Sequence, residues 1–474
     1  MSKSQTASRF LLSAFSMIAL GWPTVSTANE AQEASSANIE AEESWAIALS
    51  GGGLRSSLFM IGALKALDQG NMVSTAPAIS SVSGGSYANY WLYSRYLLTN
   101  PGDQRFGHYS LSDQEYTQRV CEIVTKGNFV TNTQIGWNWL IRNSVGLYQS
   151  AILRTYGNGD TWENGLKLSS FAESASNGEI PNILVNATIA QPRDVTGNDV
   201  IVTFTPQGIS NGNLGAAQWT NVSEDEFPLY RMVAISGAAV GALKQWMPNP
   251  FSAIDSNRLR VWDGGKSENL GAFPLIVGGQ KRVVIIDAEH DPNYTFGAYH
   301  ILKDRLQAEG IDLEIPAIES ADGQRLQTSY FSGTAQGESS ATKIVYIKMA
   351  LPETLDDTFA EQTEPNSVGW DDQRRFMQAL EDSDPRSKYW DCANLGYAPS
   401  DLSSWMAYNT ASYADYLNGS DGTATVFNST GVNFLALDFP QYSTIDQSFY
   451  VDQSLAFIGL GYLQTKEFVD QNGS

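Results

Sequence analysis

Two short apolar runs, each breaking into glycine and joined by a stretch of helical periodicity, constrain this chain more than any other feature. Trp45-Ala46-Ile47-Ala48-Leu49 reads as a buried strand and runs directly into Ser50-Gly51-Gly52-Gly53-Leu54-Arg55. Leu54, Leu58, Ile61, Leu64 and Leu67 then recur at helical spacing, and Gly70 stops the helix. A second apolar run, Ala78-Ile79-Ser80-Ser81-Val82, breaks at Ser83-Gly84-Gly85-Ser86 before Tyr87-Ala88-Asn89-Tyr90-Trp91-Leu92. Strand, helix and strand make a right-handed crossover, which puts the carboxyl ends of two parallel strands on one sheet edge. Neighbouring strands lie about 4.8 Å apart, so the pattern predicts the Gly51–Gly53 loop beside Ser83.

The second break has the form of a nucleophile elbow. A sharp strand-to-helix turn leaves no room for side chains around its serine, and Gly84 and Gly85 supply that room. Taken alone, the run is also what an ordinary small-residue turn looks like. The first glycine loop adds what acyl transfer needs: bare amides at a helix N-terminus, where a carbonyl oxygen turns negative. A phosphate-cradling loop is excluded because no Gly-Lys-Ser/Thr ending follows, and a dinucleotide loop because Ser56 stands where glycine is required.

A serine hydroxyl needs a base. Arg260-Val261-Trp262-Asp263-Gly264-Gly265 is a third strand-like run, ending at a carboxylate and two glycines. The chain has three histidines, His108, His290 and His300, none in a motif of its own. Asp263 is therefore read as a base acting directly on Ser83, in a site that leans on the oxyanion loop and on desolvation. A rival assignment keeps Ser83 and makes His290 the base with Asp263 as its orienter, following the chain order of the α/β-hydrolases. The stretch Asp287-Ala288-Glu289-His290-Asp291-Pro292 also reads simply as a strand end and turn.

Together, Ser50-Gly51-Gly52-Gly53-Leu54-Arg55, Ser83-Gly84-Gly85 and Asp263-Gly264-Gly265-Lys266-Ser267-Glu268-Asn269-Leu270-Gly271 resemble the patatin-like and cytosolic phospholipase A families. Val283-Val284-Ile285-Ile286, Asp287-Ala288-Glu289 and Phe439-Pro440-Gln441-Tyr442-Ser443-Thr444-Ile445-Asp446-Gln447 look like a bacterial branch of that superfamily, so the resemblance runs from about Trp45 to Tyr462. It implies an α/β fold of three layers, α/β/α, with a mostly parallel central sheet and a Ser-Asp dyad. By position, Ser83 would attack the ester and Asp263 would move its proton. The Gly51, Gly52 and Gly53 loop would form the oxyanion hole, with the Gly52 and Gly53 amides as donors. Arg55 would either brace the loop or bind substrate through a lipid phosphate. One position departs from the pattern: Ser81 stands where patatins usually carry glycine.

Other residues carry less chemistry. Asn186-Ala187-Thr188, inside the strand-like Ile183–Ile189, reads as a satisfied core hydrogen-bonding pair. Asp287 reads as the cap of a following helix. The apolar segment from Phe129 through Trp137, Tyr148 and Leu153 reads as core packing, with an acyl pocket or lid as the alternative. Thr342–Ile347 alternates like a strand, Glu353 to Glu364 reads as an acidic loop, and helices are expected over Asp371–Leu380 and Gln453–Tyr462. Cys121 and Cys392 are the two cysteines, and a disulfide between them is left open.

Lys3 and Arg9 precede the apolar Phe10–Leu20, and Ser26-Thr27-Ala28 offers a cleavage site, so residues 1–28 read as an export leader. Residues 29–43 read as a disordered acidic lead-in, and residues 44–474 as the catalytic domain with a C-terminal extension. No apolar run is long enough to span a bilayer. A net charge of −22 argues against nucleic acid and against electrostatic docking on anionic membranes, so lipid contact is expected to be apolar or local. No cofactor or metal set is visible. The function expected is an exported phospholipase A or lysophospholipase meeting lipid at an interface. The alternatives are an acyltransferase on the same dyad and a non-catalytic lipid-binding protein on a hydrolase fold.

Overall fold

Alternation decides the architecture. On the strand Ala46–Leu49 (β1), Ile47 and Leu49 face one hydrophobic cluster while Ala46 and Ala48 face another. On Arg282–Asp287 (β9), Val284 and Ile286 divide from Val283 and Ile285 in the same way. A strand that is apolar on both faces must be covered on both. The result is a sheet between two helical layers.

The computed structural model describes residues 44–98, 112–125, 144–157, 161–162, 165–219, 227–321, 323, 325–338, 340–383, 392, 395–418, 425–427, 433–435, 439–442, 449 and 451–472. The leader, the lead-in, His108, residues 129–143 of the apolar segment and Ser443–Gln447 lie outside them. Residues 43–474 form one compact unit.

The remaining strands are Ala78–Val82 (β2), Asn182–Gln191 (β3), Ile201–Thr205 (β4), Gly208–Asn211 (β5), Gly215–Gln218 (β6), Gln245–Pro248 (β7), Arg258–Asp263 (β8), Asp312–Glu314 (β10), Tyr330–Gln336 (β11) and Ala341–Lys348 (β12). They form a 12-stranded sheet in the order β10-β11-β12-β9-β1-β2-β3-β4-β5-β6, with β8 on β3 and β7 on β8. The centre, β12-β9-β1-β2-β3, is parallel, and the flanks are antiparallel.

One helical layer includes Gly53–Gln69 (α1), Gly84–Leu98 (α2), Asp113–Thr125 (α3), Ser144–Tyr156 (α4) and Leu229–Ser236 (α5). The other is built on Gly297–Ala308 (α6), whose Ala298, Tyr299, Leu302 and Leu306 pack on Ala48, Ile285 and Tyr346. Asp356–Thr363 (α7), Val368–Ser383 (α8), Leu402–Asn418 (α9) and Val451–Asn472 (α10) complete the chain, and α10 lies along α1.

The expected helix closed by Gly70 is α1, with Gly70 at its C-cap. The expected helices near the C-terminus are longer than their periodic cores, and Thr342–Ile347 falls inside β12. The acidic stretch from Glu353 is not a loop: Glu353–Leu355 forms a 3-10 turn and α7 follows, with Asp356 and Asp357 in its first turn, where carboxylates favour the helix dipole. Tyr148, Ile152 and Leu153 of the apolar segment are buried in the main core on α4. Cys121, on α3, forms a disulfide with Cys392, with Cα atoms 5.7 Å apart.

Candidate active site

The register of β3 explains how two residues 180 positions apart come to touch. β2 runs parallel beside the first half of β3 and pairs Val82 with Asn186. β8 runs antiparallel beside the second half and pairs Asp263 with Ala187. Asn186 and Ala187 are consecutive, so the two strands meet end to end along β3. Ser83, one residue past β2, therefore abuts Asp263, the last residue of β8. Ser83 Oγ donates to Asp263 Oδ2 at 3.0 Å.

The serine sits in a strained turn. Its φ is 50°, in the left-handed region, a conformation that costs on the order of 1 kcal/mol for a residue with a Cβ. The surroundings hold it there. Ser83 N–H donates to Ser236 Oγ at 2.9 Å, Ser236 Oγ donates to Asn186 O at 2.6 Å, and Ser86 N–H donates to Ser83 O at 2.9 Å. Ser81, at the position usually glycine, fits: its Oγ donates to Leu184 O at 3.0 Å and accepts from Asn89 Nδ2 at 3.0 Å.

Asp263 is 4 % exposed. Its Oδ1 accepts the Gly265 N–H at 2.7 Å, and Thr188 Oγ1 donates to its carbonyl at 2.7 Å. Burial pushes its carboxyl up to about 6, against the lowering effect of the Gly265 and Ser83 hydrogen bonds and the Lys266 charge. A carboxyl in that range is a better proton acceptor than an exposed one and is still ionised at neutral pH.

The glycine loop ends β1 and opens α1. Gly52 caps the helix with φ 145°, and Gly53, at φ 68°, is its first residue. N–H groups at these positions have no intrahelical acceptor. The three glycines differ in one respect: Gly51 N–H donates to Asn269 O at 2.8 Å. Among the described residues the amides of Gly52 and Gly53 make no such bond, while Gly51 is a spacer whose Cβ would stand 3.2 Å from Ser83 Cβ and 2.3 Å from Asn269 Oδ1.

Arg55 is wholly buried, and its Nη2 donates to Ala288 O at 2.9 Å. A Cβ on Gly52 would lie 2.6 Å from that same carbonyl and 3.3 Å from Nη2. The arginine thus braces the loop from inside, and a side chain without exposure does not reach a lipid phosphate. His290 lies near the surface, turned to the backbone of Gln441 and Tyr442; partial burial and the nearby Arg55 charge hold it below its ordinary value. Among the described residues no hydrogen bond joins it to Ser83 or Asp263.

Asn186 is a satisfied core residue: Nδ2 donates to Ser80 Oγ at 2.8 Å and Oδ1 accepts from Thr203 Oγ1 at 2.8 Å. Asp287 is not a helix cap. It accepts from Lys348 Nζ at 2.7 Å, Tyr346 OH at 2.7 Å and the Glu289 N–H at 2.8 Å. Asp291 does the capping, accepting the N–H groups of Thr295 and Phe296 at 2.7 Å ahead of α6.

Three residues of the site went unread in the sequence. Ser236 ends α5 without any motif around it. Asn269 and Glu268 lie within the Asp263 motif, and spacing alone gave them no role. Glu268, buried and pushed up to about 7 by that burial, accepts the Leu270 and Phe273 N–H groups at 2.5 and 3.4 Å. It fixes the turn that presents the Asn269 carbonyl to Gly51. The assembled site offers a hydroxyl, a carboxylate to take its proton, and two bare amides at a helix N-terminus.

No family model and no curated protein matches the sequence. Solved structures do match. Human GIVD cytosolic phospholipase A2 is 13 % identical, covers 91 % of this chain and is itself covered over 59 % of its length, with a TM-score of 0.56. The same human protein in complex with methyl gamma-linolenyl fluorophosphonate is 12 % identical with a TM-score of 0.52; it covers 91 % of the chain and is covered over 58 %. The chain therefore spans under two thirds of these neighbours. It has their α/β fold, the three-layer architecture with a mostly parallel centre that the resemblance implied.

Proposed function

We propose that this chain is a serine lipid acyl hydrolase of phospholipase A or lysophospholipase type, acting through Ser83 and Asp263. The observation that carries the reading is the 3.0 Å hydrogen bond from Ser83 Oγ to Asp263 Oδ2, made by a serine held at φ 50° against a glycine-opened helix N-terminus. Its neighbours in fold, cytosolic phospholipase A2 structures, support a lipid ester as the substrate.

In this reading Ser83 Oγ attacks the ester carbonyl as its proton passes to Asp263 Oδ2. The N–H groups of Gly52 and Gly53 then stabilise the oxyanion, with Arg55 keeping the loop in place. Collapse of the tetrahedral intermediate breaks the bond to the alcohol, which leaves with the proton from Asp263. Water, activated in turn by Asp263, hydrolyses the acyl-enzyme and returns Ser83. An exported location is part of the proposal, supported by the leader-like residues 1–28 and by the Cys121–Cys392 disulfide, since such bonds persist in oxidising compartments.

The test is fatty-acid release from a panel of phospholipids, lysophospholipids and neutral glycerides, read by mass spectrometry for the wild type and Ser83→Ala. Release by the wild type and none by the variant is expected, together with covalent labelling of the wild type alone by a lipid fluorophosphonate. Folded wild-type protein that neither releases fatty acid nor takes the label overturns the reading.

A further inference from the structure

The outer face of β8 carries a second candidate site. Along this strand Leu259, Val261 and Asp263 point into the core, and Arg258, Arg260 and Trp262 point outward. A cleft of about 450 Å³ opens over that outward face. Its lining gathers Arg193, Lys244, Arg260, Lys266 and Arg305 around Trp262. In a chain of net charge −22, five cations in one cleft without anionic company is an unusual arrangement. Among the described residues none of the five forms an ion pair.

The cations are held close to one another. Lys244 Nζ stands 3.2 Å from the centre of the Trp262 ring and Lys266 Nζ stands 5.3 Å from it. Burial, then the like charges of Arg260, Lys266 and Arg193, hold Lys244 below its ordinary value. Arg305 is fixed by Nε donating to Ser267 O at 3.1 Å and Nη1 donating to Asn198 Oδ1 at 3.2 Å. Arg260 Nε and Trp262 Nε1 are buried donors with no hydrogen-bond partner. Leaving such donors unmet inside a protein is costly, and crowding like charges adds to that cost. A ligand that accepts hydrogen bonds and carries more than one negative charge offsets both.

We propose that this cleft binds a phosphate monoester or diphosphate group, at a site apart from Ser83 on the opposite face of β8. Phosphate fits better than a carboxylate because it carries about two charges near neutral pH and presents three oxygens, and because guanidinium forks match its geometry. A soluble phosphate ester and a phosphomonoester lipid headgroup offer the same chemistry, so the measurement separates them.

Titration calorimetry of the full chain with inorganic pyrophosphate is expected to show one site per molecule, weakened by salt. The double substitution Lys244→Gln, Arg260→Gln is expected to weaken it at least about tenfold, the loss of two charge-assisted hydrogen bonds. Arg193→Gln, a change at an exposed position, should weaken it less. Lys244→Arg should retain it, and unchanged near-UV circular dichroism checks each fold. In parallel, flotation with vesicles of phosphatidylcholine, alone or mixed equally with phosphatidate, reads the source. Phosphatidate-dependent flotation lost in the double variant assigns a headgroup; pyrophosphate binding without flotation assigns a soluble ligand. No saturable binding of either probe, or equal binding by the folded double variant, overturns the site.

Discussion

In the proposed mechanism, Asp263 sets when the site works: its carboxyl, raised to about 6 by burial, would accept the Ser83 proton only when ionised. The rate is therefore expected to rise with pH through about 6, and kcat/KM at pH 5 to be about a tenth of its plateau. A plateau that extends unbroken to pH 4 would remove Asp263 as the base. The same shift has a stability consequence of opposite sign. A carboxyl whose folded value lies above its unfolded one favours folding at low pH, and that contribution is lost as pH rises through about 6. At neutral pH the buried carboxylate costs the fold about 3 kcal/mol. Asp263→Asn is accordingly expected to abolish turnover while thermal denaturation at pH 7 shows an unchanged or higher Tm. Ser83, Asp263 and the glycine loop stand out in the sequence because glycine beside a strand end has few other reasons to recur. Ser236 and the brace made by Arg55 depend on contacts between distant segments, and no local pattern records those.

At the scale of elements, the site is a joint between two turns that must almost touch. A Cβ added to Gly84 would lie 2.1 Å from Gly53 O and 2.8 Å from Gly53 N. Those atoms are backbone and cannot rotate away. Gly84→Ala is expected to push the oxyanion loop off the elbow and lower kcat/KM by about 100-fold or more, the scale of a 1 Å misplacement. Initial rates on the best ester of the panel, with Tm measured beside them, check this; wild-type rates in a folded variant would mean the two loops do not act together. The crossover from β1 through α1 to β2 was legible because strand, helix and stop signals are all local. The antiparallel course of β8 was not, since Arg258–Asp263 alternates in the same way whichever direction it runs. The acidic stretch that became α7 shows a related limit: its charges look like loop composition until their place in the first helical turn is known.

For the whole molecule, the parallel pair at the centre was readable from the strand-helix-strand crossover and the full sheet from the resemblance, while closure of the chain was not. Cys121 and Cys392 lie 271 residues apart, and only the fold shows that α3 and the segment before α9 meet. Their bond ties α3, a helix that packs on α10 and α4, to the segment before α9, and both cysteines are buried. Restricting so long a loop in the unfolded chain stabilises the native state by about 2–4 kcal/mol in typical cases. Cys121→Ser with Cys392→Ser is expected to lower the unfolding free energy by that amount, seen as a lower urea midpoint at unchanged m, with a near-native circular dichroism spectrum retained at low denaturant. Because neither cysteine is among the residues hydrogen-bonded around Ser83 and Asp263, the double variant should keep its kcat/KM at 25 °C and lose activity faster on heating. An unchanged urea midpoint would mean that packing of α3 on α10, rather than the covalent link, holds this half of the molecule together.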